Sequence, residues 1–464
     1  MTTRADPLCC APMLRNQPGR GPLAPHKPGQ SVERCTDRRS GGDPEPESAA
    51  APTLGARPPF RDGLRVALVS DYYYPDIGGM PEHVHNLAAE LCRRGHAVTV
   101  ITTAFPLPSG LPAPRPPQHE YVRVSPPSAS GAVAGGVSES APAFEVVRLG
   151  QASGAIIANG SVSRAAVGLG LRTAMTQLLR ARQFDVVHVH APIFPTLSLL
   201  AIGCTPPGTR LIGTLHTHFD DSQLLRLLRR PLQRYLDALD AVIAVSDSAL
   251  ACMRRLGFSC DGEIIPNGVD LPYWQSGQPL APWQDGAVHL IAQARLEPRN
   301  HVGTIVEALR LLAHRREPLP PLRLLVLGEG PQRDALSHKS SGLAVHFAGA
   351  VVAERADYVA TSDIYCFTAA IASHPMALLE GMAAGRPVLA HDIDGVRQLV
   401  TDGVEGFVLP LADPSAYAAA LHRLAADPAL RARMGEAARR RVTEFGWPRV
   451  TSRIEALYLA LLRR

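Results

Sequence analysis

The chain has 464 residues, 46% hydrophobic and 19% charged, which is globular composition and length enough for two ordinary domains with substantial cores. A net charge of +5 without blocks of lysine or arginine excludes a nucleic-acid tail, and no apolar run reaches the length of a membrane span or forms a signal-peptide core. Eight cysteines without disulfide or metal-ligand spacing point to a reducing, cytoplasmic setting.

Residues 1–63 are rich in Pro, Gly, Arg and Ser without apolar periodicity and read as a disordered leader. Order is expected from Leu64, where LRVALVS is a short apolar run suited to a buried parallel strand. Gly78 and Gly79 then open a helix through PEHVHNLAAELCRRG, Gly95 closes it, and HAVTVITT follows as a second strand, completing a βαβ unit. The Pro-, Ser- and Gly-rich stretch 105–143 reads as an expanded surface loop. FEVVRLG, a helix around LRTAMTQLLRARQ, and strands in FDVVHVHAP, TRLIGTLHTHF and DAVIAVSDSA continue the alternation, so one α/β domain is expected over 64–266. Beyond the turn IPNGVD the alternation restarts in AVHLIAQARL, LRLLVLGEG, AVHFAGAV, DIYCFTAA and HPMALLEGMAAGRPVLAHDIDG, a second doubly wound domain over 267–445. The last segment, 446–464, is an amphipathic helix with Ile454, Leu457, Tyr458 and Leu461 on one face, expected to pack back on the first domain.

Ligands of such sheets lie beyond the carboxyl ends of the strands, which selects a few side chains. The pair Gly78 and Gly79 leaves backbone N–H groups at a helix N-terminus free to meet an anion, though a tight strand-to-helix turn needs the same residues. Arg295 follows the strand HLIAQA, where a guanidinium can neutralise charge on a departing phosphate. Glu380 sits on a helix ended by Gly-Arg-Pro and offers one acidic group, against the plainer reading of a glutamate facing water. His216 and His218 lie just past a strand end, and the strand pattern does not choose between them. Arg226, Arg229, Arg230 and Arg234 among leucines make a basic amphipathic stretch that fits either an anionic lipid surface or a solvated helix face.

Taken in order, YYPDIGGMPEHVHNLAAELCRRGHAVTV, VVHVHAP, LHTHF, AVSDSA, IPNGVD, ARLEPRN, LVLGEGP and LLEGMAAGRPVLA followed by GVRQLVTDGVEGFVLP resemble the retaining glycosyltransferases of family 4. The resemblance covers roughly 64–460 and implies the GT-B fold, two Rossmann-like domains facing across a cleft. It implies His216 near the sugar's reacting carbon and Arg295 at the leaving phosphate, with Gly78, Gly79 and Glu380 also on the donor, and Arg299 is the candidate to substitute there for the family's usual lysine. The segment IIANGSVSR is similar to the acceptor loop of phosphatidylinositol mannosyltransferases, which implies Asn159, Ser161 and Arg164 on an inositol phosphate; a polar Asn-Gly turn explains it equally.

The implied activity is transfer of a hexose from a nucleotide sugar, GDP-mannose first and a UDP-sugar second, to a lipid or polyol-phosphate acceptor such as phosphatidylinositol. No cofactor, metal or nucleic acid is implied, and the place of action is the cytoplasm or the inner face of the membrane. Two positions depart from the family pattern: Asn300 stands where a lysine is usual and Ala372 where the earlier of two glutamates is usual. They leave two alternatives open, a weakened or non-catalytic member acting as a binding or partner subunit, and a UDP-GlcNAc-dependent transferase of glycolipid-anchor type.

Overall fold

The computed structural model describes residues 63–74, 78–104, 120–124, 144–158, 161–193, 196–216, 222–283, 285–314, 318–351 and 354–464. The leader expected over 1–63 lies outside these residues apart from Gly63, as does most of 105–143. Among them the first sheet is built from β1 (Arg65–Val69), β2 (Ala97–Ala104), β3 (Glu120–Val124), β4 (Phe144–Ala158), β5 (Ser161–Val167), β6 (Val186–His190), β7 (Arg210–Leu215), β8 (Ala241–Ala244) and β9 (Glu263–Ile264). Its order is β3-β4-β2-β1-β6-β7-β8-β9, with β5 attached to β4. The second sheet comprises β10 (Val288–Gln293), β11 (Leu322–Leu327), β12 (Val345–Gly349), β13 (Ile364–Phe367), β14 (Val388–His391) and β15 (Gly406–Leu409), in the order β12-β11-β10-β13-β14-β15. Every pairing in the second sheet is parallel.

Parallel strands need helical crossovers, so both faces of each sheet are covered and the strands read as unbroken apolar runs. In β1, Val66, Ala67, Leu68 and Val69 are all fully buried. The chain winds outward in both directions from β1, flanked by β2 and β6, and again from β10, flanked by β11 and β13. Those are the two points where the strand order reverses and where crevices open.

Two regions differ from expectation. Residues 120–124, read as part of a loop, form β3 and pair antiparallel with β4, because EYVRV is rich in the strand formers Tyr and Val but is too short and too weakly periodic to stand out among prolines. The segment read as an acceptor loop is a β-hairpin: β4 runs on to Ala158, and Ala158 pairs with Ser161 across the intervening Asn-Gly.

The helix Trp447–Leu462 lies against the first domain, its Val450, Ile454, Tyr458 and Leu461 joining Val84, Leu87 and Leu91 of the helix Gly79–Arg93 in one core. Each aliphatic side chain buried there is worth about 1.5–3 kcal/mol. Glu455 adds a polar clasp, accepting from Arg94 at 2.8 Å and meeting the His96 ring at 2.9 Å. At the end of β1, the buried Asp71 accepts from the Leu197 N–H at 2.9 Å and the Thr196 N–H at 3.1 Å, capping the helix Leu197–Cys204. Burial pushes the Asp71 carboxyl up, while those N–H groups oppose the rise.

Candidate active site

The crevice residues come from five strand ends. Gly78 and Gly79 open the helix after β1, His190 ends β6, His216 follows β7, and Arg295 follows β10. The helix Met376–Ala383, which carries Glu380, follows β13. A Cβ on Gly78 would lie 3.6 Å from the Arg295 guanidinium, and one on Gly79 would lie 3.7 Å from the Met376 sulfur. The helix N-terminus of the first domain therefore faces both the Arg295 side chain and the start of the Glu380 helix, an arrangement that can receive an anion. Neither contact is tight, so the space left by the missing side chains is not claimed by protein atoms.

Glu380 is held from two sides. Gln293, at the end of β10, donates to its Oε2 at 2.8 Å, and an Arg355 nitrogen lies 3.8 Å from its Oε1. The same Arg355 donates to Glu82 of the first domain at 2.6 Å and stacks on the Trp274 ring, 5.4 Å from its centroid. Arg355 thus bridges the two domains through a pair of carboxylates. Burial works against its charge, but Glu380 and Glu82 outweigh burial and hold the guanidinium above its ordinary range. For Glu380 burial wins: its carboxyl is pushed up to about 7, with Arg355 and Gln293 opposing and Glu82 adding to the rise. The close ion pair is Arg355 with Glu82, and Glu380 is the member that protonates readily. Glu380 is 5% exposed, so neither a free acid in the cleft nor a glutamate facing water describes it.

Behind the glycine turn lies a group of imidazoles. His83 packs edge-on to His216 with centroids 4.6 Å apart, His216 Nε2 is 2.9 Å from His190 Nδ1, and His190 stacks on His188 at 4.5 Å. His188 bonds to Tyr458 and to Thr214, both at 2.6 Å. Asn267, in the IPNGVD junction, contacts His83 Nδ1 through Oδ1 at 2.9 Å and donates through Nδ2 to the carbonyl of His374 at 2.8 Å. Burial holds the group neutral at pH 7, taking His83 down to about 4 and His188 and His374 to about 3, with His190 and His216 also well below the ordinary range.

The fold therefore gathers Gly78, Gly79, His216, Arg295 and Glu380 around one interdomain contact. Arg299, in the turn Pro298–Asn300, pairs with Glu297 at 3.0 Å. Asn300 donates to the Arg295 carbonyl at 2.7 Å and so braces the arginine's backbone. The Ala372 carbonyl lies against Gly395, where a Cβ would come within 2.2 Å of it. Ser161 and Arg164 lie on β5, paired with Ala158 and Ala155; Asn159 and His218 fall outside the described residues. Sequence reasoning missed Arg355, Glu82, Gln293, His83 and His190. A signal existed for the histidines, since His188 and His190 alternate on one face of a strand. None existed for Arg355, whose partners lie far away along the chain.

Residues 77–272 match the family described as Glycosyltransferase Family 4, and residues 287–427 match Glycosyl transferases group 1. A phosphatidyl-myo-inositol mannosyltransferase of Mycolicibacterium smegmatis is 31% identical over 401 residues, 85% of this chain and 93% of that protein. The chain belongs to glycosyltransferase family 4. It is a transferase with the GT-B architecture, and solved structures share the fold. Sucrose-phosphate synthase from Thermosynechococcus elongatus superposes with a TM-score of 0.62 at 20% identity, covering 86% of this chain and 99% of that one. Anabaena Alr3699/HepE in complex with UDP gives a TM-score of 0.62 at 16% identity, covering 86% and 100%. Within the family-4 frame, the faces that meet between the two sheets are the strand-end crevices described above.

Proposed function

We propose that this glycosyltransferase moves mannose from GDP-mannose, with retained anomeric configuration, onto phosphatidylinositol or a closely related polyol-phosphate lipid. The observation that carries the reading is the near end-to-end similarity to a phosphatidyl-myo-inositol mannosyltransferase. On this reading the N–H groups after Gly78 and the Arg295 guanidinium take the departing diphosphate as the bond from the sugar carbon to phosphate oxygen breaks. The acceptor oxygen bonds to that carbon on the same face and passes its proton to the leaving phosphate. His216 stands beside the carbon, and Glu380 exchanges its long contact with Arg355 for the donor ribose. Ser161 and Arg164, with Asn159, take the inositol phosphate.

Membrane attachment is peripheral in this proposal and on the cytoplasmic side. Among the described residues no helix is long and apolar enough to cross a bilayer. The short helices Gln223–Leu227 and Arg229–Asp237 supply a surface instead: Leu224 is 63% exposed and Leu227 79%, beside the exposed Arg226, Arg229 and Arg230. Apolar side chains with flanking arginines suit an anionic lipid face.

The test is a donor panel of GDP-mannose, UDP-glucose and UDP-GlcNAc on liposomes containing phosphatidylinositol, with the product's anomeric configuration read by NMR. An α-mannosyl product from GDP-mannose is expected, and transfer from a UDP-sugar alone overturns the donor. A slow enzyme is a second reading favoured by one observation: Asn300 braces Arg295 through its carbonyl and brings no charge of its own.

A further inference from the structure

The helix Gly79–Arg93 turns its N-terminus to the cleft, yet its first turn carries Glu82, whose N–H donates to the Gly78 carbonyl at 3.2 Å. An acid there suits the helix dipole but sets a negative charge one turn from N–H groups that are to receive an anion. Arg355 of the second domain neutralises it, donating from Nη2 to a Glu82 oxygen at 2.6 Å, with both side chains only 12% exposed. Little water screens a pair so placed. The guanidinium is fixed from its own domain: it lies over the Trp274 ring, and Gly277, just after the Trp274 helix, is so near that a Cβ there would come within 2.3 Å of the Ala356 carbonyl. The second carboxylate is held differently. Glu380 lies 3.8 Å from Nη1, beyond hydrogen-bond length, and takes its hydrogen bond from Gln293 at 2.8 Å. Glu380 can therefore turn to a ligand without taking a hydrogen bond from Arg355, whereas separating the domains must break the bond to Glu82.

We propose that Arg355 is a positioning residue for donor binding: its bond to Glu82 clasps the two domains over the cleft and neutralises the carboxylate beside the glycine turn. Ribose capture by Glu380 and diphosphate capture by the helix N-terminus then occur in one closed state. The two contacts of Arg355 divide the work by length. The short one persists through binding and sets where the glycine turn stands against Arg295, whose guanidinium a Cβ on Gly78 would approach to 3.6 Å. The long one yields. An open chain must re-form the pair and strip water from both ions before its two half-sites meet, so a clasp already made raises affinity by holding the competent state. Arg355 acts through Glu82 and needs no contact with the nucleotide. The inference rests on the donor-end roles given above to Glu380 and the glycine turn, and is independent of the sugar, the base and the acceptor.

The experiment compares the full chain with Arg355→Met, Glu82→Gln and the double variant. Small-angle X-ray scattering of the nucleotide-free proteins reads domain separation, and calorimetry with GDP and UDP reads affinity for whichever nucleotide the parent binds more tightly. Each single variant should show a larger radius of gyration than the parent and bind the nucleotide more weakly by about five-fold or more. The double variant should bind no more weakly than Arg355→Met, because removing the Glu82 charge relieves the repulsion that Arg355→Met leaves; independent effects would multiply to roughly 25-fold. Glu82→Gln keeps the side-chain shape and decides alone if Arg355→Met does not fold. A loss confined to Arg355→Met, with Glu82→Gln like the parent, would mean that Arg355 binds the nucleotide directly and would overturn the clasp. Multiplying losses, or an unchanged radius of gyration in both single variants, would overturn it too. Failure of the parent to bind either nucleotide would sink the donor-site reading itself, while the scattering comparison still decides the clasp.

Discussion

Glu380→Gln offers a measurement in which burial and ion pairing predict opposite signs. The carboxyl lies between Gln293 and Arg355 with 5% exposure, and its folded pKa is about 7 against an ordinary 4.5. Because the folded state holds the proton more tightly than the unfolded chain, Glu380 adds to stability below pH 4.5. That contribution is lost as pH rises through 7. At about 1.4 kcal/mol per pH unit the loss is about 3 kcal/mol. Glutamine mimics the protonated acid and does not titrate. Urea unfolding of both proteins from pH 5 to 8 should therefore show the variant gaining stability relative to the parent, by about 2–3 kcal/mol across the interval, the rest of the loss falling below pH 5. Only the difference is informative, since the neutral imidazoles act the other way. His83, with a folded pKa of about 4, contributes stability that is full above pH 6.5 and is lost as pH falls toward 4. A difference that stays constant with pH, or that turns against the variant as pH rises, would refute the argument and mean that Arg355 outweighs burial. Calorimetry with GDP on the same two proteins adds a second readout: loss of the ribose contact should weaken binding by about 1–3 kcal/mol.

Gly268→Ala should destabilise the chain by about 1–3 kcal/mol, because the new methyl would sit 2.5 Å from the Trp447 ring; an unchanged denaturation midpoint would show that the C-terminal helix yields freely there. The pair Asn300→Lys with Ala372→Glu should raise kcat with the preferred donor by placing charge at the transferring carbon, and a fall in kcat would show that another group has taken over that work. Leu224→Glu with Leu227→Glu should cut sedimentation with anionic liposomes at least ten-fold, since each exposed leucine stands to bury about 1.5–3 kcal/mol in lipid; unchanged sedimentation removes this surface from the proposal.

Local signals were sufficient for the architecture. Short apolar runs such as LRVALVS and LRLLVLG, alternating with amphipathic helices closed by glycine, specify buried parallel strands with crossovers, and that grammar is read within a window of a few residues. The same grammar placed Gly78, Gly79, His216, Arg295 and Glu380 near strand ends, because chain order and the doubly wound topology determine which residues reach the crevice. It failed for β3, whose five residues carry too little periodicity to be seen among prolines. What no local window contains is pairing at a distance. Arg355 meets Glu82 across 273 positions and His83 meets Asn267 across 184. Hence only the folded chain decides that Glu380 is a braced, buried acid. The histidines scattered over four segments likewise form one neutral cluster only after folding, since ionisation depends on burial and charge partners that the tertiary structure supplies.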